Sequence, residues 1–459
     1  MKKSPNHRVS ARLGAITPSA TLAIDSKSKA LKAAGAPIIN FAPGEPNFAT
    51  PQHIVDAALV ATADPANYRY TPASGLPDLR QAIADTVGNF GDSPLTIADI
   101  IVTNGGKQAV FQACAVVINE GDEVLLPAPY WTTYPETISL AGGTPVPVIA
   151  GYENDYKVTP EQLEAARTDK TIAMILCSPS NPTGAVYTPE ELKAIGDWAL
   201  DNGIWIIADD IYDELVYDGA VAEPIYKVLP EIANQTIVVN GVAKTYAMTG
   251  WRVGWMFGPS DMIKAANAFQ SHLSSNVNNI AQRAAIAALE GPQDAVEEMR
   301  LAFDRRRGIM VEMLQEIEAF DVPVPKGAFY VYASVERALG REIAGRVPTT
   351  SAELADLILD EAEVAVVPGE AFGTPGYIRL SYAVSYEDVV EGISRIQALM
   401  ASYTPLPPGL LQGPGSSIAP GVPPRSPRTQ ALEWEGYEGE PERGKIMAST
   451  PPSHLRQAI

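Results

Sequence analysis

The chain has 459 residues, of which 46% are hydrophobic, so it can bury more than one core. Its formal net charge of −20 opposes binding to nucleic-acid backbones and to anionic membranes. No apolar run approaches the roughly eighteen residues of a membrane span, and the start, MKKSPNHRVSARLG, lacks the apolar block of a signal peptide. We therefore expect a cytoplasmic protein without nucleic-acid or membrane partners.

Short apolar runs in the middle of the chain predict strands at 99–103, 122–127, 171–176, 203–209, 236–240 and 253–257. Apolar residues are continuous in these runs rather than alternating, which indicates strands covered on both faces. Helix-like stretches separate several of them. Thr159 with Gln162, and Thr188 with Glu191, form two capping-box patterns, each with proline at the first helical position. The pattern predicts an α/β fold with a mainly parallel sheet between helix layers.

The flanks of this region have a different pattern. Residues 1 to about 45 and about 290 to 400 carry amphipathic helices, such as the one expected over 294–317, and the strand-like segments FYVYASV and YIRLSYA. The composition changes again near residue 403, because residues 405–459 contain 11 prolines and 7 glycines. This content is too high for a packed core, so we predict a disordered tail over 403–459 that carries no chemistry.

Polar motifs follow the predicted strands one by one. NGGK follows the first run, PYW the second and SPSNPTG the third, while DDIY extends the fourth and VAK follows the fifth. In open α/β sheets ligands bind beyond the carboxyl ends of the strands, so these motifs are expected to converge on one site.

Cysteine and histidine are sparse in this chain. Two cysteines and four scattered histidines predict neither a disulfide framework nor a metal site. Cys114 is expected in the core of a helix. Cys177 ends an apolar strand beside SPSNPTG, where it could approach the site.

Lys244 and Arg252 follow the fifth strand within eight residues of each other. Taken alone, such a lysine is most often an ordinary surface residue. A lysine can also form a Schiff base with an aldehyde cofactor, and an arginine offers a planar fork for a phosphate. The pair therefore suggests pyridoxal phosphate, and the motifs upstream strengthen that interpretation.

The order and spacing of Asn181, Asp209, Tyr212 and Lys244 closely resemble those of the class I, fold-type I pyridoxal-phosphate aminotransferases. The motifs SATLAIDSKSKAL, NGGKQA, APYWTTYPE and VVPGEAFGTPGYIRLSYA resemble the bacterial aspartate aminotransferases of the Ib subgroup, over about residues 8 to 400. The resemblance implies an N-terminal arm and part of a small domain over 1–45, a large cofactor-binding domain over 46–290 and the rest of the small domain over 291–402. The tail has no counterpart in this pattern.

By the same resemblance, the cofactor phosphate is bound by the backbone of Gly105 and Gly106, which open a helix, by Arg252, and by Tyr70 from the neighbouring subunit of a homodimer. Many relatives have phosphate-binding serines where this chain has Gly241 and Ala243. We therefore expect the backbone amides, Arg252 and Tyr70 to make a larger share of the hydrogen bonds to the phosphate.

The cofactor ring is expected to contact four further side chains. Asp209 pairs with the protonated pyridine nitrogen, because a cationic ring is a better electron sink. Tyr212 and Asn181 hydrogen-bond the phenolic oxygen, and Trp131 stacks on the ring. Lys244 is both the Schiff-base lysine and the general base.

The substrate is expected to contact a smaller set of residues. Arg379, at the end of a strand, clamps the α-carboxylate in bidentate fashion, and Gly44 offers a backbone contact. Trp131 and Asn181 border the same substrate. Lys107 resembles the lysine that the aspartate-specific subgroup uses for the side-chain carboxylate, and Ser19 to Thr21 line that pocket.

The resemblance implies transfer of the amino group of L-aspartate to 2-oxoglutarate by a ping-pong mechanism, which gives oxaloacetate and L-glutamate. The closest alternative is a prephenate or aromatic amino-acid aminotransferase of the same subgroup. A lyase or decarboxylase would share the cofactor residues. A ligand-sensing module of a transcription regulator would need an N-terminal DNA-binding domain, and the roughly 45 residues before the large domain are too few and not basic enough to supply one.

Truncation after residue 402 tests the predicted tail. Solubility, thermal unfolding midpoint and activity should match those of the full-length chain, because a segment rich in proline and glycine buries little surface. Loss of soluble, active protein on truncation would show that the tail packs or assembles.

Overall fold

The computed structural model describes residues 9–403, and the predicted tail lies outside this range apart from Tyr403. The helices of the described part are α1 (Ala11–Gly14), α2 (Ala20–Ala33), α3 (Gln52–Ala63), α4 (Pro77–Val87), α5 (Gly106–Val117), α6 (Tyr134–Leu140), α7 (Pro160–Ala166), α8 (Pro189–Asn202), α9 (Ile225–Val228), α10 (Ser260–Leu273), α11 (Asn279–Glu290), α12 (Asp294–Gln315), α13 (Ser351–Ala362) and α14 (Tyr386–Met400).

The strands of the same part are β1 (Ile39–Asn40), β2 (Asn89–Phe90), β3 (Ser93–Pro94), β4 (Ile100–Thr103), β5 (Glu123–Ala128), β6 (Thr144–Ile149), β7 (Thr171–Cys177), β8 (Trp205–Asp209), β9 (Thr236–Gly241), β10 (Gly254–Phe257), β11 (Tyr330–Ser334), β12 (Val364–Ala365), β13 (Val367–Pro368) and β14 (Tyr377–Ser381). All six predicted central strands are present, each within two residues of its expected bounds.

The central sheet has seven strands in the order β4-β10-β9-β8-β7-β5-β6. Its pairings are parallel from β9 to β6, whereas β10 runs antiparallel to both β4 and β9. The predicted α/β fold with a mainly parallel sheet is therefore confirmed.

Strand β6 was missed by the sequence analysis. Its sequence, TPVPVI, contains two prolines, which cannot donate to a sheet ladder and argue against an interior strand. In the structure β6 pairs only with β5 and forms the edge of the sheet, where a missing N–H donor costs little.

Successive residues of the central strands pack into two different cores. Met174 and Leu176 of β7 join the core on one face of the sheet, while Ala173 and Ile175 join the core on the other. Because both faces are covered, each strand is apolar along its whole length. The capping boxes at Thr159 and Thr188 are also present, and they begin α7 and α8.

A smaller sheet, in the order β11-β14-β13, is antiparallel and contains both strand-like segments of the C-terminal flank. Nearby, β1 pairs with β12 in parallel, so the N-terminal residues 39–40 lie against residues 364–365. This pairing agrees with the expected grouping of the two flanks, although the division at residues 45, 290 and 402 stays a prediction. No helix in the described range is long and apolar enough to cross a membrane.

Candidate active site

A cavity of about 390 Å³ lies beyond the carboxyl ends of the parallel strands. Ten of the twelve residues expected at the site line it: Gly44, Gly106, Lys107, Trp131, Asn181, Asp209, Tyr212, Lys244, Arg252 and Arg379. Ser19 and Thr21 line it as well, and so does Cys177. The expected convergence of the strand-end motifs on one site is therefore seen in the structure.

Gly105 and Gly106 form the N-terminus of α5, as expected. Gly105 has a φ of +80°, and a Cβ built on it would lie 2.6 Å from Nη2 of Arg252. A Cβ on Gly254, in the neighbouring strand β10, would lie 2.5 Å from the backbone nitrogen of Gly106. Glycine at both positions allows the helix end, the strand and the guanidinium to approach each other closely.

The guanidinium of Arg252 is held by backbone carbonyls. Nη1 donates to the carbonyl of Thr249 at 2.9 Å, and Nη2 donates to that of Asn104 at 3.2 Å. Neither partner is a carboxylate, so the positive charge of Arg252 is not neutralised by these contacts. Together with the N-terminal amides of a twelve-residue helix, it makes this corner of the cavity suited to an anion.

Asp209 ends β8 and is only 4% exposed. Its Oδ2 accepts a hydrogen bond of 2.7 Å from the hydroxyl of Tyr134, and its Oδ1 accepts one of 3.3 Å from the amide of Ile211. Burial raises the pKa of Asp209 to about 6, and the Tyr134 hydrogen bond acts in the opposite direction. Within residues 9–403, no arginine or lysine forms an ion pair with this carboxyl group.

Arg379 brings positive charge from the smaller sheet. It lies in the middle of β14 and not at a strand end, which corrects the expectation from the sequence. Nη1 donates to Oδ1 of Asn181 at 2.9 Å, and Nη2 donates to the carbonyl of Ala42. Nε has no hydrogen-bond partner in the part of the chain that the structure describes. A buried guanidinium with an unpaired N–H is suited to accept a carboxylate ligand.

Tyr330 connects two parts of the cavity that the sequence analysis treated separately. Its hydroxyl lies 2.9 Å from the hydroxyl of Tyr212, and its ring lies 4.5 Å from the guanidinium carbon of Arg379. A Cβ on Gly44 would lie 2.7 Å from the Tyr330 hydroxyl oxygen. Gly44 is therefore required by the close approach of Tyr330.

Lys244 projects into the centre of the cavity. Its Nζ donates to the carbonyl of Gly44 and lies 5.9 Å from the ring centroid of Tyr212. The pKa of Lys244 is lowered to about 8, mainly by burial; Glu45 acts to raise it and Arg379 acts to lower it. Most of the amine is still charged at pH 7, and the neutral form that a nucleophile or base requires becomes populated as the pH approaches 8.

Lys107 lies on the first turn of α5 with its Nζ 5.1 Å from the ring centroid of Trp131. Burial and the charge of Arg252 lower its pKa. The hydroxyls of Ser19 and Thr21 also line the cavity and lie 2.9 Å apart at the start of α2. The cavity therefore combines a positively charged amine with neutral hydroxyl groups.

A family model described as "Aminotransferase class I and II" matches residues 36–396. The chain belongs to this family. An aspartate aminotransferase of Streptomyces avermitilis is 59% identical over 394 residues, which cover 86% of this chain and 97% of the relative. An aspartate/prephenate aminotransferase of Cereibacter sphaeroides is 43% identical over 394 residues, which cover 85% and 98%.

Solved structures agree with this assignment. The aspartate aminotransferase of Thermus thermophilus with maleate superposes with a TM-score of 0.80 at 36% identity, covering 86% of this chain and 100% of that one. The resemblance to class I aminotransferases and the expected fold are both confirmed, and the protein is an aminotransferase.

Two side chains of this aminotransferase were not identified from its sequence. Tyr134 follows Trp131 by three residues at the start of α6, a spacing that places both on one side of the turn. Tyr330 lies in the segment FYVYASV, which the sequence showed only as a strand. Both rings were indistinguishable from core aromatics, because their partners Asp209 and Tyr212 are distant in the sequence.

Tyr70 does not line the cavity and is 90% exposed. The backbone before Tyr70 is anchored by Asn279, whose Nδ2 donates hydrogen bonds to the carbonyls of Asn67 and Arg69. Its expected contact with a partner subunit stays a prediction.

Cys114 is fully buried in α5, as expected. The described residues contain no group of three or more His, Cys, Asp and Glu side chains that could hold a metal ion.

Lys244→Met should stabilise the cofactor-free protein at pH 7, by roughly 1–3 kcal/mol, because the wild-type amine is charged there although its surroundings favour the neutral form. The folded-state pKa lies below that of the unfolded chain, so the penalty is complete below about pH 8 and fades as the pH rises toward 10.5.

The free energy of unfolding, measured in urea between pH 7 and 10 for both proteins, checks this expectation. Lys264→Met, on the exposed side of α10, is the matched control and should show no such trend. A stability difference for Lys244→Met that is independent of pH would contradict the argument.

Proposed function

We propose that this aminotransferase uses pyridoxal 5′-phosphate to transfer the amino group of L-aspartate to 2-oxoglutarate, with oxaloacetate and L-glutamate as products of a ping-pong reaction. The observation that carries the proposal is the position of Lys244. Its amine has a pKa lowered to about 8 and lies in one cavity with Asp209, Arg252 and Arg379.

The donor set fits this cofactor. The N-terminus of α5 and Arg252 would hold the phosphate, since together they offer backbone N–H donors and a guanidinium without a carboxylate partner. The buried carboxyl of Asp209 has no ion-pair partner among residues 9–403, so a cationic pyridine nitrogen would supply one. When bound, pyridoxal phosphate supplies an aldehyde that reacts with amines and a ring that withdraws electrons from the substrate α-carbon.

Each residue of the cavity then has a role of its own. Lys244 anchors the cofactor and, once its amine is free, accepts the proton from the substrate α-carbon, for which a pKa near the working pH is suited. Asp209 keeps the ring nitrogen protonated. Tyr212 and Asn181 would hydrogen-bond the phenolic oxygen, and Trp131 would cover the ring. These assignments rest on the family pattern together with the position of each side chain in the cavity.

A dicarboxylic substrate fits the charges of the cavity. Arg379, whose Nε has no hydrogen-bond partner among the described residues, would bind the α-carboxylate, and Lys107, which lines the same cavity, would bind the second carboxylate. The carbonyl of Gly44 accepts a hydrogen bond from Lys244, and this supports the proposed backbone contact of Gly44 with the substrate. The names of the relatives and the maleate in the Thermus thermophilus structure support a dicarboxylic acid.

Prephenate is the second candidate amino acceptor. The Cereibacter sphaeroides relative is named an aspartate/prephenate aminotransferase, and it is 43% identical to this chain. Prephenate also carries two carboxylates, so Arg379 and Lys107 suit it equally well.

We further propose a cytoplasmic homodimer in which Tyr70 completes the phosphate site of the neighbouring subunit. The proposal rests on the family pattern, and the 90% exposure of Tyr70 leaves its side chain accessible to a neighbouring subunit.

A panel of amino donors tests the proposed reaction. Purified protein loaded with pyridoxal phosphate is mixed with L-aspartate, L-glutamate, L-phenylalanine or L-alanine, and the ultraviolet-visible spectrum of the cofactor is followed. L-Aspartate and L-glutamate should convert the cofactor to its aminated form, and 2-oxoglutarate should reverse the change. Prephenate is then offered in place of 2-oxoglutarate. If no donor changes the spectrum, the aminotransferase reaction proposed here is wrong.

Lys107→Ala should lower kcat/KM for L-aspartate by about ten- to a hundredfold, because a charge-assisted contact contributes roughly 1.5–3 kcal/mol. Donors with neutral side chains, such as L-alanine and L-phenylalanine, should be little affected. Steady-state kinetics with each donor measure the difference.

Lys193→Ala, which removes an exposed lysine paired with Asp197 on α8, serves as the control and should leave all donors unchanged. An equal loss for every donor in Lys107→Ala would place Lys107 on the cofactor or in the fold, and the case for aspartate would lose its main support.

A further inference from the structure

Tyr134 is the only side chain that donates a hydrogen bond to Asp209 among the described residues. Its hydroxyl lies 2.7 Å from Oδ2, and its ring is 2% exposed. The ring also meets Trp131 edge to face, with centroids 5.4 Å apart. One residue therefore contacts both the carboxyl and the aromatic ring that are assigned to the cofactor.

The other groups around Asp209 do not replace this contact. Lys244 acts on it through charge alone, without a hydrogen bond, and Ile211 contributes one backbone amide at 3.3 Å. Cys177 and Asp210 are further titratable neighbours. Burial raises the pKa of both groups, and the charge of Asp209 acts in the same direction. Neither side chain donates a hydrogen bond to Asp209 among the described residues.

From this geometry we propose that Tyr134 is a positioning residue that keeps Asp209 ionised and directed at the cofactor ring nitrogen. The inference rests on the proposed function, and it adds a residue outside the set that the sequence identified. Tyr134 stabilises the charged form of Asp209 specifically, because its hydroxyl can donate to a carboxylate at full strength.

Loss of the Tyr134 hydroxyl should reduce the ionised fraction of Asp209. In the cofactor-free protein its pKa is raised by burial to about 6, so most of the carboxyl is ionised at pH 7. Removal of the Tyr134 donor raises this pKa further, and a larger fraction is then neutral at pH 7. Ionisation is complete again at higher pH, so the effect of the removal should disappear there.

The test compares pyridoxal phosphate with its 1-deaza analogue, in which carbon replaces the ring nitrogen. Both are titrated into the full-length, cofactor-free protein between pH 5.5 and 9, and binding is followed by quenching of tryptophan fluorescence. The ratio of the two affinities isolates the contact between Asp209 and the ring nitrogen, and changes in overall folding cancel in it.

Tyr134→Phe should lower this ratio about two- to tenfold at pH 7, relative to the wild-type protein, with the two proteins converging near pH 9. In an Asp209→Asn background the same substitution should leave the ratio unchanged, because the group through which it acts is gone. Tyr217→Phe is the matched control, since the buried Tyr217 hydroxyl donates to the carbonyl of Ala328 instead.

Three results would overturn the proposal: an unchanged ratio in Tyr134→Phe, an equal loss of both affinities, or the same loss in the Asp209→Asn background. If Tyr134→Phe does not fold, 3,5-difluorotyrosine at position 134 keeps the ring and strengthens the donor. The pH at which the ratio rises should then move downward, and an unmoved value would contradict the proposal. A wild-type protein that fails to bind pyridoxal phosphate would instead contradict the proposed function.

Discussion

The structure depends on holding ionisable groups of both signs in one cavity. Asp209 and Arg379 are almost fully buried, and Lys244 lines the same cavity. Burial by itself disfavours the charged form of each group, and the pKa directions of Asp209, Lys244 and Arg379 all follow from it. The hydrogen bonds from Tyr134 to Asp209 and from Arg379 to Asn181 offset part of this cost. Binding of a charged cofactor and substrate would offset more, so the site is built for ligands that complete its charges.

Such a cavity requires rigid walls, and the central sheet provides them. Strands β4, β5, β7, β8, β9 and β10 pack into a core on both faces, so the strand ends that carry Asp209 and Cys177 are fixed in position. The phosphate corner of the cavity also requires backbone segments to approach each other closely. Gly105 and Gly254 let the end of α5, strand β10 and Arg252 meet at distances that a Cβ would prevent. The anion-binding corner is therefore a consequence of backbone packing as much as of side-chain charge.

The smaller sheet contributes the other half of the site. Arg379 on β14 reaches Asn181, which follows β7 of the central sheet, and Tyr330 on β11 reaches Tyr212, which follows β8. These two contacts join segments that are far apart in the sequence. The cavity is locally positive although the protein carries a net charge of −20, because four cationic side chains line it: Arg252, Arg379, Lys107 and Lys244. This local charge makes the cavity compatible with anionic substrates.

The amino-acid sequence by itself determined the central strands, their cover on both faces and the order of the motifs at their ends, because strand periodicity and motif spacing are local properties. From the strand-end rule it also determined that the motifs share one site. Only the tertiary structure showed that β6 forms an edge strand, that β10 runs antiparallel and that Arg379 lies within its strand. The contacts of Tyr134 and Tyr330 were also visible only in the tertiary structure. Each depends on a partner more than seventy residues away, and a tyrosine in an apolar run has the same local pattern whether it packs in a core or hydrogen-bonds a buried carboxylate.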